Sequence, residues 1–128
     1  MRGEWALPEE RSRDELRAAR VLLEADLPDQ AVSRAYFAAL HAASAALLVL
    51  GDPQTSEVGI VTAFARRVPD DGFDPEAGRM LRKLFEDRTD VDQALANAPA
   101  EEAERAIGDA DRLVRSIAAW IEDRAASA

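Results

Sequence analysis

The sequence predicts an all-α fold, a single-domain up-and-down helical bundle of about five helices. Three observations carry this. Alanine is abundant while glycine and proline number six each, so helix formers are common and helix breakers rare. Apolar residues recur at spacings of three and four, the period of a helix buried on one face. No segment alternates apolar and polar residues as a half-buried strand would. At 128 residues the chain has single-domain length and can build a core without metal or disulfide staples.

The first helix, about 8–27, opens near Pro8 and runs through EERSRDELRAARVLLEA. Leu16, Ala19, Leu23 and Leu27 share one face, with charges on the other. Pro28 is expected to end it, because proline disfavours helix in the residue before it. The second helix, about 30–50, stops at Gly51-Asp52-Pro53, a C-terminal glycine followed by a proline. The third, about 56–68, begins near Thr55 or Ser56, either of which can cap it, and carries Val58, Val61, Phe64 and Ala65. Val68-Pro69-Asp70-Asp71-Gly72 closes it. The fourth, about 75–96, has Met80, Leu81, Leu84, Phe85, Val91 and Leu95 as its apolar side. The fifth, about 100–124, follows Pro99 and buries Ala103, Ile107, Ala110, Leu113, Val114, Ile117 and Trp120. Residues 125–128 are expected to fray. Short loops make sequential helices antiparallel neighbours. Trp5 and Trp120 read as packing anchors, since base-stacking platforms come with a basic groove.

Composition narrows the chemistry. There is no cysteine, which excludes disulfides, thiolate catalysis and cysteine-ligated zinc, and agrees with a cytoplasmic location. The stretch MRGEWALPEERSRDEL turns charged at once and has no signal-like apolar centre. Residues 35–50 fall short of the roughly 20 a membrane span needs. They also carry His41, so a buried core helix and no membrane contact are expected. The net charge of −9 opposes nonspecific binding to a polyanion, while leaving room for a local basic site for RNA. Nearly all the positive charge is arginine, with Lys83 the single lysine. Arginine offers a planar fork for phosphate or carboxylate, although genome base composition produces the same bias. One histidine cannot supply the paired Glu-x-x-His motifs of a di-metal bundle. With no glycine-rich phosphate loop or Ser-His-Asp pattern legible, no metal or cofactor is expected.

The second helix is the informative one. At about 100° per residue, Tyr36, Leu40, Ala43, Leu47 and Leu50 form one apolar face. Ala35, Ala38, Ala42, Ala45 and Val49 form a second, small enough to let another helix approach closely. The third holds Arg34, Phe37, His41, Ser44 and Leu48. A helix apolar nearly all round is a central one. Arg34 and His41 lie within about 20° of each other around the helix and about 10 Å apart along it. One reading places both on a phosphate, the imidazole exchanging a proton near neutral pH and the guanidinium holding phosphoryl oxygens. In the other, His41 is a satisfied core or interface residue and Arg34 pairs with Glu24 or Asp29.

The stretch SRAYFAALHAASAALL resembles the SRAYYA-type signature of HEPN domains, small helical bundles of higher eukaryotes and prokaryotes. The resemblance continues through TSEVGIVTAF and GRMLRKLFEDRTDVDQA to the closing amphipathic helix, so it spans nearly the whole chain. It implies an up-and-down bundle that often forms a homodimer. Many HEPN proteins are metal-independent endoribonucleases acting as toxins in toxin-antitoxin systems or in phage defence. Others partner a small nucleotidyltransferase, so the alternative for this chain is a noncatalytic module that binds a nucleotide or such a partner. Catalytic members share an arginine followed, after four to six residues, by a histidine, with two copies meeting at the dimer interface. Arg34 and His41 are separated by six residues and satisfy that spacing. The usual position of the motif is later, where Arg88 matches the arginine but Asp92 and Gln93 stand where a histidine would come.

The resemblance therefore implies His41, Arg34 and Arg88 as candidate catalytic residues. Asp92, Tyr36 and Ser44 are candidate substrate-binding residues. Arg34, His41, Arg88 and Asp92 are expected to share one groove between the second and fourth helices. There Asp92 orients the imidazole or neutralises Arg88. The alternative is that Arg88 and Asp92 form an ordinary surface pair four residues apart. A further alternative is a homodimer whose Ala-rich face is only a packing surface.

Overall fold

The computed structural model describes residues 6–67, 70–93 and 97–127. Among these residues five helices make up the bundle: α1 (Ala6–Glu24), α2 (Pro28–Val49), α3 (Glu57–Arg67), α4 (Glu76–Asp92) and α5 (Ala100–Ser127). No strand occurs among the described residues. The centre is α2, which packs against each of the other four helices. Its two apolar faces are used inside the chain. Ala35, Tyr36, Ala38, Ala43, Ala45 and Leu47 have no exposed surface at all. The Ala-rich face is thus covered by the chain's own helices, which removes it as a dimer surface. Short side chains there suit close packing of one helix against another.

α2 is long and apolar enough to cross a membrane by length and composition. Its side chains explain that pattern differently, because they fill the middle of a core. Around α2 the larger buried side chains are Leu16 of α1, Phe64 of α3, Leu81 and Leu84 of α4, and Leu113 and Ile117 of α5.

Several helix ends differ from expectation, each for a local reason. α1 ends at Glu24 rather than near residue 27, and Pro28 is not what ends it. Asp26 adopts a left-handed conformation with φ of 63°. Its N–H donates to Leu23 O (3.0 Å), and the N–H of Leu27 to Leu22 O (2.9 Å), which satisfies the last carbonyls of the helix. Pro28 instead opens α2 as its first residue, where a missing N–H costs nothing.

The same hydrogen-bond pattern ends α2, with the glycine expected there. Gly51 has φ of 72°, and Gly51 N–H and Asp52 N–H donate to Leu48 O and Leu47 O. Ser56 caps α3 by accepting from Gly59 N–H at 2.9 Å. α4 closes at Asp92 with Gln93 as its cap, and Leu95 lies outside the described residues, as do Val68, Pro69 and Trp5. α5 runs on to Ser127, so it does not fray from Ala125 onward as expected.

Two tertiary contacts fix the loops. Trp120 donates its indole N–H to Asp71 O (2.7 Å) and lies 4.4 Å from Phe73 between ring centroids. This pins the α3–α4 connection to α5 and gives Trp120 its anchoring role. Asp29, in the first turn of α2, accepts from Ala98 N–H at 2.7 Å. The α4–α5 connection is thereby tied to the start of the central helix.

Candidate functional site

The third face of α2 is the part its neighbours leave incompletely covered. Ser33, Arg34, Phe37, His41, Ser44 and Leu48 are half-buried, whereas nearly every residue between them is buried. This stripe follows helical spacing, so one physical cause explains it: α1 and α4 flank the stripe without closing over it. Arg34 reaches toward α1, where Nη1 bonds both carboxylate oxygens of Glu15 at 3.0 and 3.3 Å. Neither Glu24 nor Asp29 is its partner. Arg88 of α4 lies on the other side.

Phe37 joins the two arginines. The guanidinium carbon of Arg34 is 5.2 Å from its ring centroid and that of Arg88 is 5.3 Å. Arg88 also lies 4.8 Å from the Tyr36 ring, and the Tyr36 and Phe37 centroids are 5.1 Å apart. A guanidinium gains from the negative faces of such rings. Aromatic contacts and burial of its stem leave Arg88 with 19% of its side chain exposed.

Arg88 is held by two carboxylates. Nη1 bonds Asp92 at 3.1 Å, and Nη2 bonds Glu57 of α3. Nε finds no acceptor among the described residues. Burial works against its charge, but Asp92, Glu57 and Tyr36 outweigh that and hold its pKa above the ordinary arginine value. Asp92 also accepts from Ser33 Oγ at 3.0 Å. It therefore neutralises Arg88 through the four-residue pair and ties α4 to the start of α2.

Tyr36 is fully buried up to its hydroxyl, which donates to Glu57 at 2.8 Å. Burial, followed by the Glu57 carboxylate, pushes its pKa well above the usual phenol range. The hydroxyl is a permanent donor at physiological pH.

His41 lies one turn beyond Phe37 on the same stripe. Burial lowers its pKa below the ordinary imidazole value, and Arg11 adds to this while Glu15 opposes it. The imidazole is neutral at pH 7, the form that can accept a proton. Ser44 is half-buried on the next turn.

The expected groove is thus two linked groups. Arg34, Arg88 and Tyr36 surround Phe37, with Asp92 joined to them through Arg88, while His41 stands on the α1 side near Glu15 and Arg11. Asp92 is engaged with Arg88 and Ser33 rather than with the imidazole. The sequence placed Phe37 on the stripe between Arg34 and His41 without giving it a role, and it did not point to Glu57 or Glu15. Glu57 and Arg88 are 31 residues apart and no local pattern connects them. Among the described residues, no three His, Cys, Asp or Glu side chains gather as a metal site would require.

Comparison with known proteins agrees with the fold. The HEPN domain model matches residues 9–120, a span that contains every candidate residue above. A putative toxin of Methanocaldococcus jannaschii is 32% identical over 105 residues, covering 81% of this chain and 78% of its own.

Proposed function

As the chain belongs to the HEPN domain family, we propose that it is a toxin-type protein that cuts RNA without a metal ion, acting in the cytoplasm as a homodimer. One observation carries the reading. The half-open stripe of α2 sets a neutral, half-buried imidazole in line with an aromatic ring flanked by two guanidinium groups. The name of the Methanocaldococcus jannaschii relative supports the toxin class.

The chemistry follows from the groups. His41 takes the proton of a ribose 2′-hydroxyl. The resulting oxygen attacks the adjacent phosphorus, the bond to the 5′-oxygen breaks, and a proton is delivered to that leaving oxygen. Arg34 and Arg88 hold the non-bridging oxygens, where charge builds in the transition state. The imidazolium formed at His41 returns that proton to the leaving oxygen, and a homodimer sets a second stripe beside the first. The half-buried Phe37 and Leu48 give such a contact its apolar part.

The test is cleavage of RNA by purified protein in EDTA, comparing wild type, His41→Ala and Arg88→Met. Loss of cleavage in His41→Ala with helicity retained supports the assignment. Cleavage at the parental rate refutes it. A second reading is favoured by the carboxylates that already neutralise Arg34 and Arg88. In it the stripe is a noncatalytic surface that binds a nucleotide or docks a nucleotidyltransferase. Absence of RNA cleavage, together with capture of a nucleotidyltransferase encoded beside this gene, selects it.

A further inference from the structure

Two donors from different helices converge on one oxygen. Tyr36 Oη of α2 and Arg88 Nη2 of α4 both bond Oε1 of Glu57. Such convergence defines a position for an anionic oxygen, and here a carboxylate of the chain itself fills it. The three groups are not equally fixed. Tyr36 has no exposed surface, and Arg88 is pressed against two rings. Glu57 is 43% exposed and stands in the first turn of α3. The carboxylate can turn into solvent without opening the core, and the donors cannot follow it.

What Glu57 would leave behind is a suitable anion cradle. The tyrosine stays protonated and donates. Arg88 keeps Asp92 on Nη1, so its position is held while Nη2 is released. Its Nε already lacks an acceptor among the described residues. One buried hydroxyl and the freed Nη2 N–H of a guanidinium would then face a single site, a geometry that suits a non-bridging oxygen of a phosphodiester.

We infer that Glu57 occupies the phosphate position of this site as an internal competitor. A phosphodiester of single-stranded RNA binds by displacing it. No covalent bond changes in the exchange, because Tyr36 Oη and Arg88 Nη2 pass from a carboxylate oxygen to a phosphoryl oxygen. The inference rests on the RNA-cleaving reading and adds to it an occluded state and the residue that maintains it.

The experiment measures binding of a 2′-O-methyl oligouridylate, which cannot be cleaved, by fluorescence anisotropy. Glu57→Gln removes the competing charge and is expected to tighten binding roughly tenfold, the scale of one charge-assisted hydrogen bond partly screened by solvent. Glu57→Asp keeps the charge but shortens the reach, and gives a smaller gain in the same direction. Adding Arg88→Met to Glu57→Gln abolishes the gain. Glu122→Gln makes the same change in net charge at an exposed position of α5 and reports the nonspecific part.

Binding by Glu57→Gln that is no tighter than by Glu122→Gln overturns the inference. If the wild type also cuts RNA in EDTA, the catalytic reading survives that failure. If neither wild type nor Glu57→Gln binds the oligonucleotide and the wild type cuts nothing, both fall.

Discussion

Arg88 is the residue on which the site's architecture depends, and truncating it yields a quantitative expectation. Arg88→Ala removes three things. Its guanidinium contacts to Tyr36 and Phe37, at 4.8 and 5.3 Å, contribute about 1–2 kcal/mol together for a partly desolvated cation. Its ion pairs reach Glu57 and Asp92, which are 43% and 45% exposed, so each adds about 0.5 kcal/mol. Its mostly buried stem adds about 1 kcal/mol, counting part of the usual contribution per methylene. The sum is about 3–4 kcal/mol. Arg88→Met retains the stem and is expected to cost about 2–3 kcal/mol.

The assay is urea unfolding followed by far-UV circular dichroism, with a double-mutant cycle against Glu57→Gln. The coupling expected between Arg88 and Glu57 is about 0.5 kcal/mol, falling in high salt. A loss below about 1 kcal/mol for Arg88→Ala would refute the view that this guanidinium is a packed structural element. An Arg88→Met loss as large as that of Arg88→Ala would instead refute the contribution assigned to the stem.

Three other expectations concern separate parts of the molecule. Ala43 is fully buried on α2, so Ala43→Leu overpacks a helix contact and costs about 1–3 kcal/mol by urea unfolding, whereas a neutral result would mean that the faces of α2 are misassigned. Asp26 holds a left-handed φ of 63°, and Asp26→Gly is expected to stabilise by about 0.5–1 kcal/mol, read as a higher urea midpoint, with a lower midpoint counting against the cap. The folded pKa of His41 is depressed, so the unfolded chain binds its proton more readily. Its stabilising contribution is present above the unfolded value of about 6.5 and is lost as the pH falls through the folded value. An NMR titration of the imidazole with a midpoint at or above 6.5 would contradict this, as would an unchanged pH dependence of stability in His41→Gln.

How far the sequence was legible depended on the range of each interaction. Ser56, Gly51 and the three faces of α2 were readable because caps and periodicity involve residues within one or two turns. The end of α1 was misread because Asp26 takes a conformation usually left to glycine, and the neighbouring Pro28 offered an obvious but incorrect stop. Proline suits the first turn of a helix as well as the position after one, and only the backbone of Asp26 decides between them. Arg34 and Arg88 were identifiable as arginines in an informative stretch. Their partners were not, because Glu15 and Glu57 are chosen by how α1 and α3 rotate against α2. Asp29 illustrates the same limit, since its acceptor role for Ala98 spans 69 residues.

The most direct test of the account is end-group analysis of RNA incubated with the purified protein in EDTA. Fragments ending in 2′,3′-cyclic phosphate are expected from the wild type, and intact RNA from His41→Ala of unchanged helicity. Intact RNA with the wild type, or equal cutting by His41→Ala, would contradict it.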